Sequence, residues 1–280
     1  MEYTLTIVLP TLGRTKEVDA MLGSIFSYAI DGSISIEIII VDQNFSNVLD
    51  DIVEKYKKRK YPIRHHKVSF RGLSKAKNYG VRHSGGKYVC CIDDDAEFTE
   101  GLINRAIKRL ECENMDIISG RCIDRYGNNS VLPFKNEESV LTIDAFENRF
   151  VESTMFFRRG VCERFSYDEE MGLGAFYGAE EGYDLVYRML RADIKIVFDP
   201  QIAFYHPHSV TDHSGQASVR RAFTYRKGYG YLCRKHNLKR KFWKRVLLVF
   251  FALPALACIR PKDLRYYVAE LLGLLVGRYV

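Results

Sequence analysis

The chain of 280 residues has seven cysteines but no Cys-x-x-Cys pair, and their number is odd. That spacing fits neither a zinc knuckle nor a disulfide framework, so we expect reduced thiols. Proline and glycine are too few, at seven and twenty residues, for a collagenous chain or a long disordered stretch. The first residues lack the basic region and cleavage site of a signal peptide, which predicts a cytoplasmic location.

Acidic residues are missing between Asp212 and Asp263, where thirteen lysine and arginine residues stand. The whole chain has a net charge of +7, so the part outside this segment is acidic overall. A basic segment beside an acidic body suggests an anionic partner.

A long apolar run is also missing, since a transmembrane helix needs about twenty residues. The run Val246–Ile259 has fourteen residues with Pro254 inside, and basic and aromatic residues precede it at 220–245. This combination favours a helix at the surface of an anionic cytoplasmic leaflet, with a second apolar-rich helix at Leu264–Val280. One alternative is a helical pair packed on the rest of the chain or on another subunit. Nucleic-acid binding ranks last, because no recognisable nucleic-acid fold accompanies these residues.

Strand and helix patterns alternate over the first 98 residues. Strands are predicted at Thr4–Pro10, Ile36–Val41, Ile63–Val68 and Tyr88–Ile92, and helices at 15–30, 47–58 and Leu73–Ser84. The alternation predicts an α/β fold with a Rossmann-like, mostly parallel sheet flanked by helices. Polar residues at the carboxyl ends of such strands line the ligand crevice, which here means Pro10-Thr11, Asp42 and Asp93–Asp95.

The later part of the chain is less regular. Helices are predicted at 99–112 and 180–191, and strands at 116–122, 153–158, 195–198 and 203–206. No linker separates the two parts, so we expect one domain over residues 1–215. A basic, amphipathic helical extension follows over residues 216–280.

Three carboxylates follow a buried strand at Asp93-Asp94-Asp95. Packing carboxylates together is unfavourable unless a cation lies among them. Oxygen ligands suit Mg²⁺ or Mn²⁺, which usually keep some waters and bind the phosphates of a substrate. The alternative is an acidic turn or helix N-terminus, because aspartate is a good N-cap.

The chain resembles family 2 glycosyltransferases in five motifs that occur in the expected order. They are Thr6–Arg14, like the opening strand and nucleotide loop; Ile38–Asp42, like the second strand; Arg71–Gly80, with Lys77 where arginine is usual; Asp93-Asp94-Asp95, like the Asp-x-Asp motif; and Gly178–Arg188, like the acceptor-side Glu-Asp motif. The resemblance covers about residues 4–232. It implies a GT-A fold and sugar transfer from a nucleotide donor, normally with inversion, with a nucleotide-binding half at 1–98 and an acceptor half at 99–215.

The resemblance implies donor-binding roles for Pro10, Thr11, Arg14, Asp42, Arg71, Lys77, Asp93 and Asp94. Thr11 and Asp42 would hydrogen-bond the base or ribose, and Asp93 would face the ribose. Asp94 could instead only support the turn. Arg71 and Lys77 would neutralise the diphosphate, although a solvated helix face explains Lys77 almost as well. A UDP-sugar is the favoured donor.

Asp95 and Asp93 would hold Mn²⁺ or Mg²⁺, and His206 would be a further metal ligand, because related enzymes carry a histidine at this point. A purely structural histidine is the alternative. The polar stretch Ser209–Gly215 is expected to close over the donor and exclude water.

The acceptor side needs a base that takes the proton of the attacking hydroxyl. Related enzymes often read Glu-Asp-x-Asp, whereas this chain reads Glu-Glu-Gly-Tyr-Asp from Glu180 to Asp184. Glu181 is favoured and Glu180 stays possible, with an acidic helix N-terminus as the alternative. The expected acceptor is a glycan, lipid-linked, for a surface polysaccharide; an oligomer is possible. The rival readings are a nucleotidyltransferase and a non-catalytic sugar-binding or membrane scaffold.

Overall fold

The computed structural model describes residues 2–208, 213 and 215–280. The chain divides into two compact units. The first comprises Met1–Phe70, Ala76–Ser166 and Leu185–Ser209, and the second comprises Arg71–Lys75, Tyr167–Asp184 and Val210–Val280. The domain boundary expected near residue 215 stays a prediction.

Nine strands form one sheet in the first unit, counted over the described residues. They are β1 (Tyr3–Thr11), β2 (Ile36–Asp42), β3 (Ile63–Lys67), β4 (Gly86–Cys91), β5 (Glu97–Phe98), β6 (Ile117–Ile123), β7 (Ser139–Val140), β8 (Met155–Arg158) and β9 (Ile196–Tyr205). The order is β3-β2-β1-β4-β8-β6-β9-β5, with β7 also paired to β9. Strands β1 to β4 are parallel, and β8 is antiparallel to both of its neighbours. The predicted α/β fold with a mostly parallel sheet is confirmed.

The α-helices were predicted from hydrophobic periodicity in most cases. They are α1 (Lys16–Ser27), α2 (Asp50–Lys57), α3 (Leu73–Arg82), α4 (Leu102–Cys112), α5 (Arg159–Arg164), α6 (Glu181–Arg191), α7 (Gln216–Lys235), α8 (Lys239–Ile259) and α9 (Leu264–Tyr279). Single 3₁₀ turns lie at Glu152–Thr154 and Pro261–Asp263.

Strand β2 shows why the sheet centre forms where it does. Every one of its residues is buried, as a near-continuous β-branched strand covered on both faces requires. Glu37 is a buried polar residue within this strand, and its carboxylate accepts a 2.7 Å hydrogen bond from the Thr6 hydroxyl of β1. Helix α3 packs closely on β1 at Gly80, where a Cβ atom would lie 2.2 Å from Cγ1 of Val8.

The two short strands predicted at 195–198 and 203–206 are one continuous strand, β9, that runs through Pro200. Proline has no backbone N–H to donate to a ladder, so a strand through Pro200 needs a local adjustment. The ladder with β6 instead shifts its register between Ser119 and Arg121. The Arg121 side chain then donates a 2.9 Å hydrogen bond to the Pro200 carbonyl. The strand predicted at 153–158 begins instead as a 3₁₀ turn, Glu152–Thr154, before β8.

The second unit contains α7, α8 and α9. Helices α7 and α9 approach closely through glycines: a Cβ at Gly277 would lie 2.0 Å from the Lys227 carbonyl oxygen. Buried Glu270 on α9 pairs with Arg226 of α7, 2.6 Å away, and with Arg245 of α8. Few residues of α8 are buried, namely Phe242, Val246 and Val249. The rest of this helix is unusually exposed for so apolar a sequence.

Candidate active site

The ends of three parallel strands meet at one edge of the sheet. Thr11 pairs with Asp42 in the β1–β2 register. The backbone N–H of Ile92, just after β4, donates a 3.0 Å hydrogen bond to the Val8 carbonyl of β1. This pairing places Asp93-Asp94-Asp95 at the same edge as Thr11. The structure thus brings together residues that stand more than eighty positions apart in the sequence.

Asp94 is held by the loop that follows β1. Its Oδ2 accepts a 2.8 Å hydrogen bond from the Thr11 hydroxyl, and its Oδ1 accepts a 2.9 Å hydrogen bond from Arg14. Burial raises the pKa of the Asp94 carboxyl, against the opposing effects of Thr11 and Arg14. Asp94 therefore joins the loop after β1 to the turn at Asp93–Asp95.

Asp95 lies between the side chains of Arg14 and His206. Its Oδ2 contacts Arg14, and its Oδ1 lies 3.4 Å from Nε2 of His206. Burial alone would raise the pKa of Asp95, but His206 and Arg14 outweigh it and lower that pKa to about 2. Burial would lower the pKa of His206, but Asp95 outweighs it and raises that pKa above its ordinary value. The Asp95–His206 pair is therefore strongly attractive.

The ring of His206 has a defined orientation. Its Nδ1 lies 2.8 Å from the Pro207 carbonyl oxygen, which can only accept a hydrogen bond. Nδ1 must therefore carry a proton, and Nε2 is the nitrogen that faces Asp95. Such a backbone contact is how metal-binding histidines are commonly oriented.

Lys77 is fully buried, so the interpretation of this residue as part of a solvated helix face is wrong. Its ammonium lies 2.6 Å from Oε1 of Glu152 and 3.7 Å from Oδ1 of Asp93. Burial raises the pKa of Asp93, whereas the charge of Lys77 overcomes burial and lowers the pKa of Glu152. Glu152 was not predicted, because it lies in an irregular segment without any recognisable motif.

Asp42 is completely buried at the end of β2. Its Oδ2 lies 2.9 Å from Nε2 of His65, and its Oδ1 accepts hydrogen bonds from the backbone and side chain of Asn44, at 2.9 and 2.7 Å. Burial alone would raise the pKa of Asp42, but these hydrogen bonds outweigh it and lower that pKa. The Asn44 side chain in turn accepts a 2.8 Å hydrogen bond from the Gly13 N–H. Asp42 therefore organises the loops after β2 and β1, as expected of a residue that forms the turn at the end of a strand.

Other predicted donor residues have simpler surroundings. Pro10 lies inside β1, opposite Val41 of β2. Arg71 belongs to the second unit and is exposed. Residues 209–212 and 214 of the stretch predicted to close over the donor lie outside the described residues.

Glu180 and Glu181 lie in the second unit at the start of α6. Glu180 has φ of +72°, a conformation that costs a non-glycine residue about 1–2 kcal/mol. Glu181 is largely buried, and a Cβ placed on Gly172 would lie 3.2 Å from its carboxyl carbon and 2.8 Å from the Ser74 hydroxyl. Glycine at position 172, with φ of +96°, therefore leaves the room that the Glu181 side chain occupies.

Asp184 has a different environment from the two glutamates. Its Oδ1 lies 2.8 Å from Nζ of Lys235 and 2.8 Å from Nε2 of His236, both at the end of α7. It is fully buried, so its carboxylate holds α6 and α7 together.

The residues around Asp95 suit a cation that is shared with a substrate. Within the described residues, no group of three His, Cys, Asp or Glu side chains could hold a metal ion by itself. One carboxylate and one imidazole, Asp95 and His206, nevertheless match the small protein contribution that Mg²⁺ or Mn²⁺ takes when phosphates and waters fill its other positions.

The chain belongs to glycosyl transferase family 2, whose family model matches residues 6–168, more than half of the sequence. The predicted family is therefore confirmed. A curated relative is the uncharacterized glycosyltransferase EpsJ of Bacillus subtilis, 26% identical over 113 residues. That match covers 40% of this chain and 32% of EpsJ, so the chain spans about a third of that relative's length.

Solved structures share the fold over nearly the whole chain. S. aureus TarS 1–349 has a TM-score of 0.60 and 14% identity, with 95% of this chain and 90% of that chain covered. The mannosyltransferase PcManGT from Pyrobaculum calidifontis, in complex with GDP-Man and Mn²⁺, has a TM-score of 0.58 and 15% identity. That match covers 98% of this chain and 88% of PcManGT. These similarities define the GT-A fold.

Proposed function

We propose that this glycosyltransferase moves a sugar, with inversion, from a nucleoside diphosphate to a hydroxyl of a glycan acceptor, in the presence of Mn²⁺ or Mg²⁺. The observation that carries the proposal is the Asp95–His206 pair beside Arg14, at the edge where β1, β2 and β4 end. Ionised carboxylate, oriented imidazole and guanidinium together form a site for a metal diphosphate.

The donor would bind along this edge. Thr11 and Asp94 lie against the loop after β1, where the base and ribose would lie. Asp42 orders that loop through Asn44.

The phosphates would be neutralised by Arg14 and Arg71. The positive charge of Lys77, which lies next to Asp93, would also attract them. Solved structures of TarS contain UDP or UDP-GlcNAc, and PcManGT contains GDP-Man, which supports a nucleotide-sugar donor. UDP is the favoured nucleotide.

A divalent cation would be held by Asp95 and His206, with Asp93 nearby, and would supply positive charge to the departing diphosphate. The Mn²⁺ in PcManGT supports a metal of this kind. Burial of the carboxylates strengthens every charge interaction in such a site.

In the transfer step, the acceptor oxygen bonds to the anomeric carbon while the bond from that carbon to the diphosphate oxygen breaks. The bonding electrons leave with the nucleoside diphosphate. The Glu181 carboxylate accepts the proton from the acceptor hydroxyl as its oxygen attacks, with Glu180 as the alternative base. Two observations favour Glu181 over Glu180. The Glu181 residue is largely buried, and its carboxyl group packs closely against Gly172, so both restrict the position of the carboxylate.

The acceptor would be lipid-linked, in surface polysaccharide synthesis at the inner face of the cell membrane. Among the described residues one helix, α8, is long and apolar enough to cross a membrane, judged by length and composition only. Its exposed residues include Trp243, Leu247, Leu248, Phe250 and Phe251, next to exposed Lys239, Arg240, Lys241 and Lys244. We favour a position in the interface, since the helix begins with these basic residues and contains Pro254.

A donor panel would test the proposal. UDP-, GDP- and dTDP-sugars would be incubated with the full chain in Mn²⁺, in Mg²⁺ or in EDTA, and hydrolysis of the donor would be measured. We expect one nucleotide class to be turned over with either metal and not in EDTA. Turnover that survives EDTA would contradict metal dependence, and a released sugar of retained anomeric configuration would contradict inversion.

A further inference from the structure

Lys227 is a buried lysine in the middle of α7. Only 8% of the residue is exposed, and no hydrogen bond or ion pair joins its ammonium to any residue that the structure describes. Its ammonium instead lies 3.6 Å from the ring centre of Phe176 and 5.5 Å from that of Phe223. The neighbouring Arg226 differs, because its guanidinium is 2.6 Å from the Glu270 carboxylate.

An ammonium without a carboxylate partner is unfavourable in a buried place. Aromatic rings offset part of that penalty, and burial still lowers the pKa of Lys227. A methionine or leucine would fill the same space without this penalty. A lysine in such surroundings is therefore better explained by a ligand than by packing.

The backbone around Lys227 is closely packed. Gly228 leaves space for the main chain before α6, since a Cβ there would lie 2.4 Å from the Ala179 carbonyl oxygen. On the other side, the Lys227 carbonyl oxygen contacts α9 at Gly277. The main chain around Lys227 is thus closely packed, whereas about half of Phe176 is exposed to solvent. A ligand from solvent would therefore reach the Lys227 ammonium by passing the ring of Phe176.

We propose that Lys227, Phe176 and Phe223 form a subsite for an anionic oxygen group, a phosphate or a carboxylate, carried by the acceptor. The inference rests on the proposed function, because it deepens the acceptor side of the same enzyme. Phe176 stands four residues before Glu180 in the chain, and Gly228 packs on Ala179, which directly precedes that glutamate. The subsite therefore adjoins the segment that carries the proposed base.

The two sources of such a group are the phosphate of a lipid carrier and the carboxylate of an acidic sugar. Both present anionic oxygens to the ammonium, and the apolar ring of Phe176 can lie against the adjacent sugar or chain. A neutral sugar offers no charge to Lys227 and would gain little from it.

Nuclear magnetic resonance of ¹⁵N-lysine-labelled full chain tests the subsite directly. The Lys227 ammonium signal is assigned as the one missing from the Lys227→Arg variant. Inorganic phosphate, glucuronate and glucose are then titrated separately. We expect a saturable shift of this signal with phosphate, with glucuronate or with both, and none with glucose.

A shift with phosphate alone identifies a phosphate-bearing acceptor, and a shift with glucuronate alone identifies an acidic sugar. If neither moves the Lys227 signal, or if glucose moves it equally, the subsite is refuted. Because this readout involves no donor, it can fail while the donor panel succeeds, and the two failures are distinguishable.

The Lys227→Met variant supplies a second measurement. Methionine removes the charge but keeps the volume, so we expect the melting temperature to stay the same or to rise. We also expect the variant to lose phosphate- or glucuronate-dependent stabilisation that the native chain shows. A clearly lower melting temperature would assign the ammonium a structural role and overturn the proposal.

Discussion

The ammonium of Lys77 lies 2.6 Å from the carboxylate of Glu152, 75 residues further along the chain. Both groups are buried next to the turn at Asp93–Asp95, and Asp93 is the third member of the cluster. This buried cluster positions Asp93, while Thr11 and Arg14, at the end of β1 and in the loop after it, hold Asp94.

Removing one partner of this pair should destabilise the fold strongly. Glu152→Gln leaves a buried ammonium with less compensation, so we expect a loss of about 3 kcal/mol in the free energy of unfolding, measured in urea. Lys77→Met combined with Glu152→Gln should recover part of that loss. The exposed pair of Lys55 and Asp19 is the control, and Lys55→Met should lower stability far less than Glu152→Gln does, because solvent screens an exposed pair. Equal effects at the buried and exposed pairs would contradict this account.

Asp95→Ala should remove metal-stimulated binding of the donor, because it deletes the carboxylate that lies beside His206. Calorimetry with a nucleoside diphosphate, with and without Mn²⁺, measures this effect. Asp124→Asn is a matched control, since Asp124 also pairs with a histidine, His208, 3.2 Å away. Metal-dependent affinity that survives in Asp95→Ala would exclude Asp95 as a metal ligand.

Binding of Mn²⁺ should strengthen as the pH rises. The pKa of His206 is raised above 6.5, so its imidazole keeps a proton to a higher pH than a free histidine does. A metal needs the deprotonated nitrogen, so below that pKa each unit of pH should increase affinity by about tenfold. Titration calorimetry in buffers of different ionisation enthalpy would measure the released proton. His206→Ala should bind weakly at every pH, and a flat profile in the native chain would refute the role of His206.

Glu181→Gln should keep donor binding and lose sugar transfer by about 10² to 10⁴-fold, because glutamine cannot accept the acceptor proton. Transfer rates with saturating donor, beside calorimetric donor affinities, separate the two effects. Glu180→Gln is the comparison that the adjacent pair offers. If Glu180→Gln is the slower enzyme, the base is Glu180 and the assignment moves by one residue.

Membrane binding should depend on the exposed apolar face of α8. Phe250→Ser with Phe251→Ser changes side chains that are 55% and 71% exposed, so folding should be little affected. Partial insertion of two rings is worth about 2 kcal/mol, which predicts a roughly 30-fold weaker association with anionic vesicles. Tyr126→Ser, at a 91% exposed aromatic in the first unit, is the control. Unchanged flotation of the α8 variant would contradict an interfacial helix.

Much of the fold was predictable because its signals are local. The continuous β-branched run of β2 and the helical period of α1 describe elements that form from their own residues, and the structure has both within a few positions. The short strands β5 and β7, of two residues each, carry no such signal. The continuity of β9 through Pro200 was not predicted, because it depends on a register shift in its pairing with β6. Pairing across a sheet involves two distant segments, so neither segment shows it alone.

The sequence by itself determined that carboxylates stand where parallel strands end, since the alternation of strands and helices places them at one edge. Only the tertiary structure decided how those carboxylates differ. Asp94 and Asp95 are adjacent, yet the pKa of the first is raised and that of the second falls to about 2. The reason is that the pKa of a carboxyl depends on its burial and on the charges around it. For Asp95 those charges come from Arg14 and His206, which the fold brings from opposite ends of the first unit's sequence.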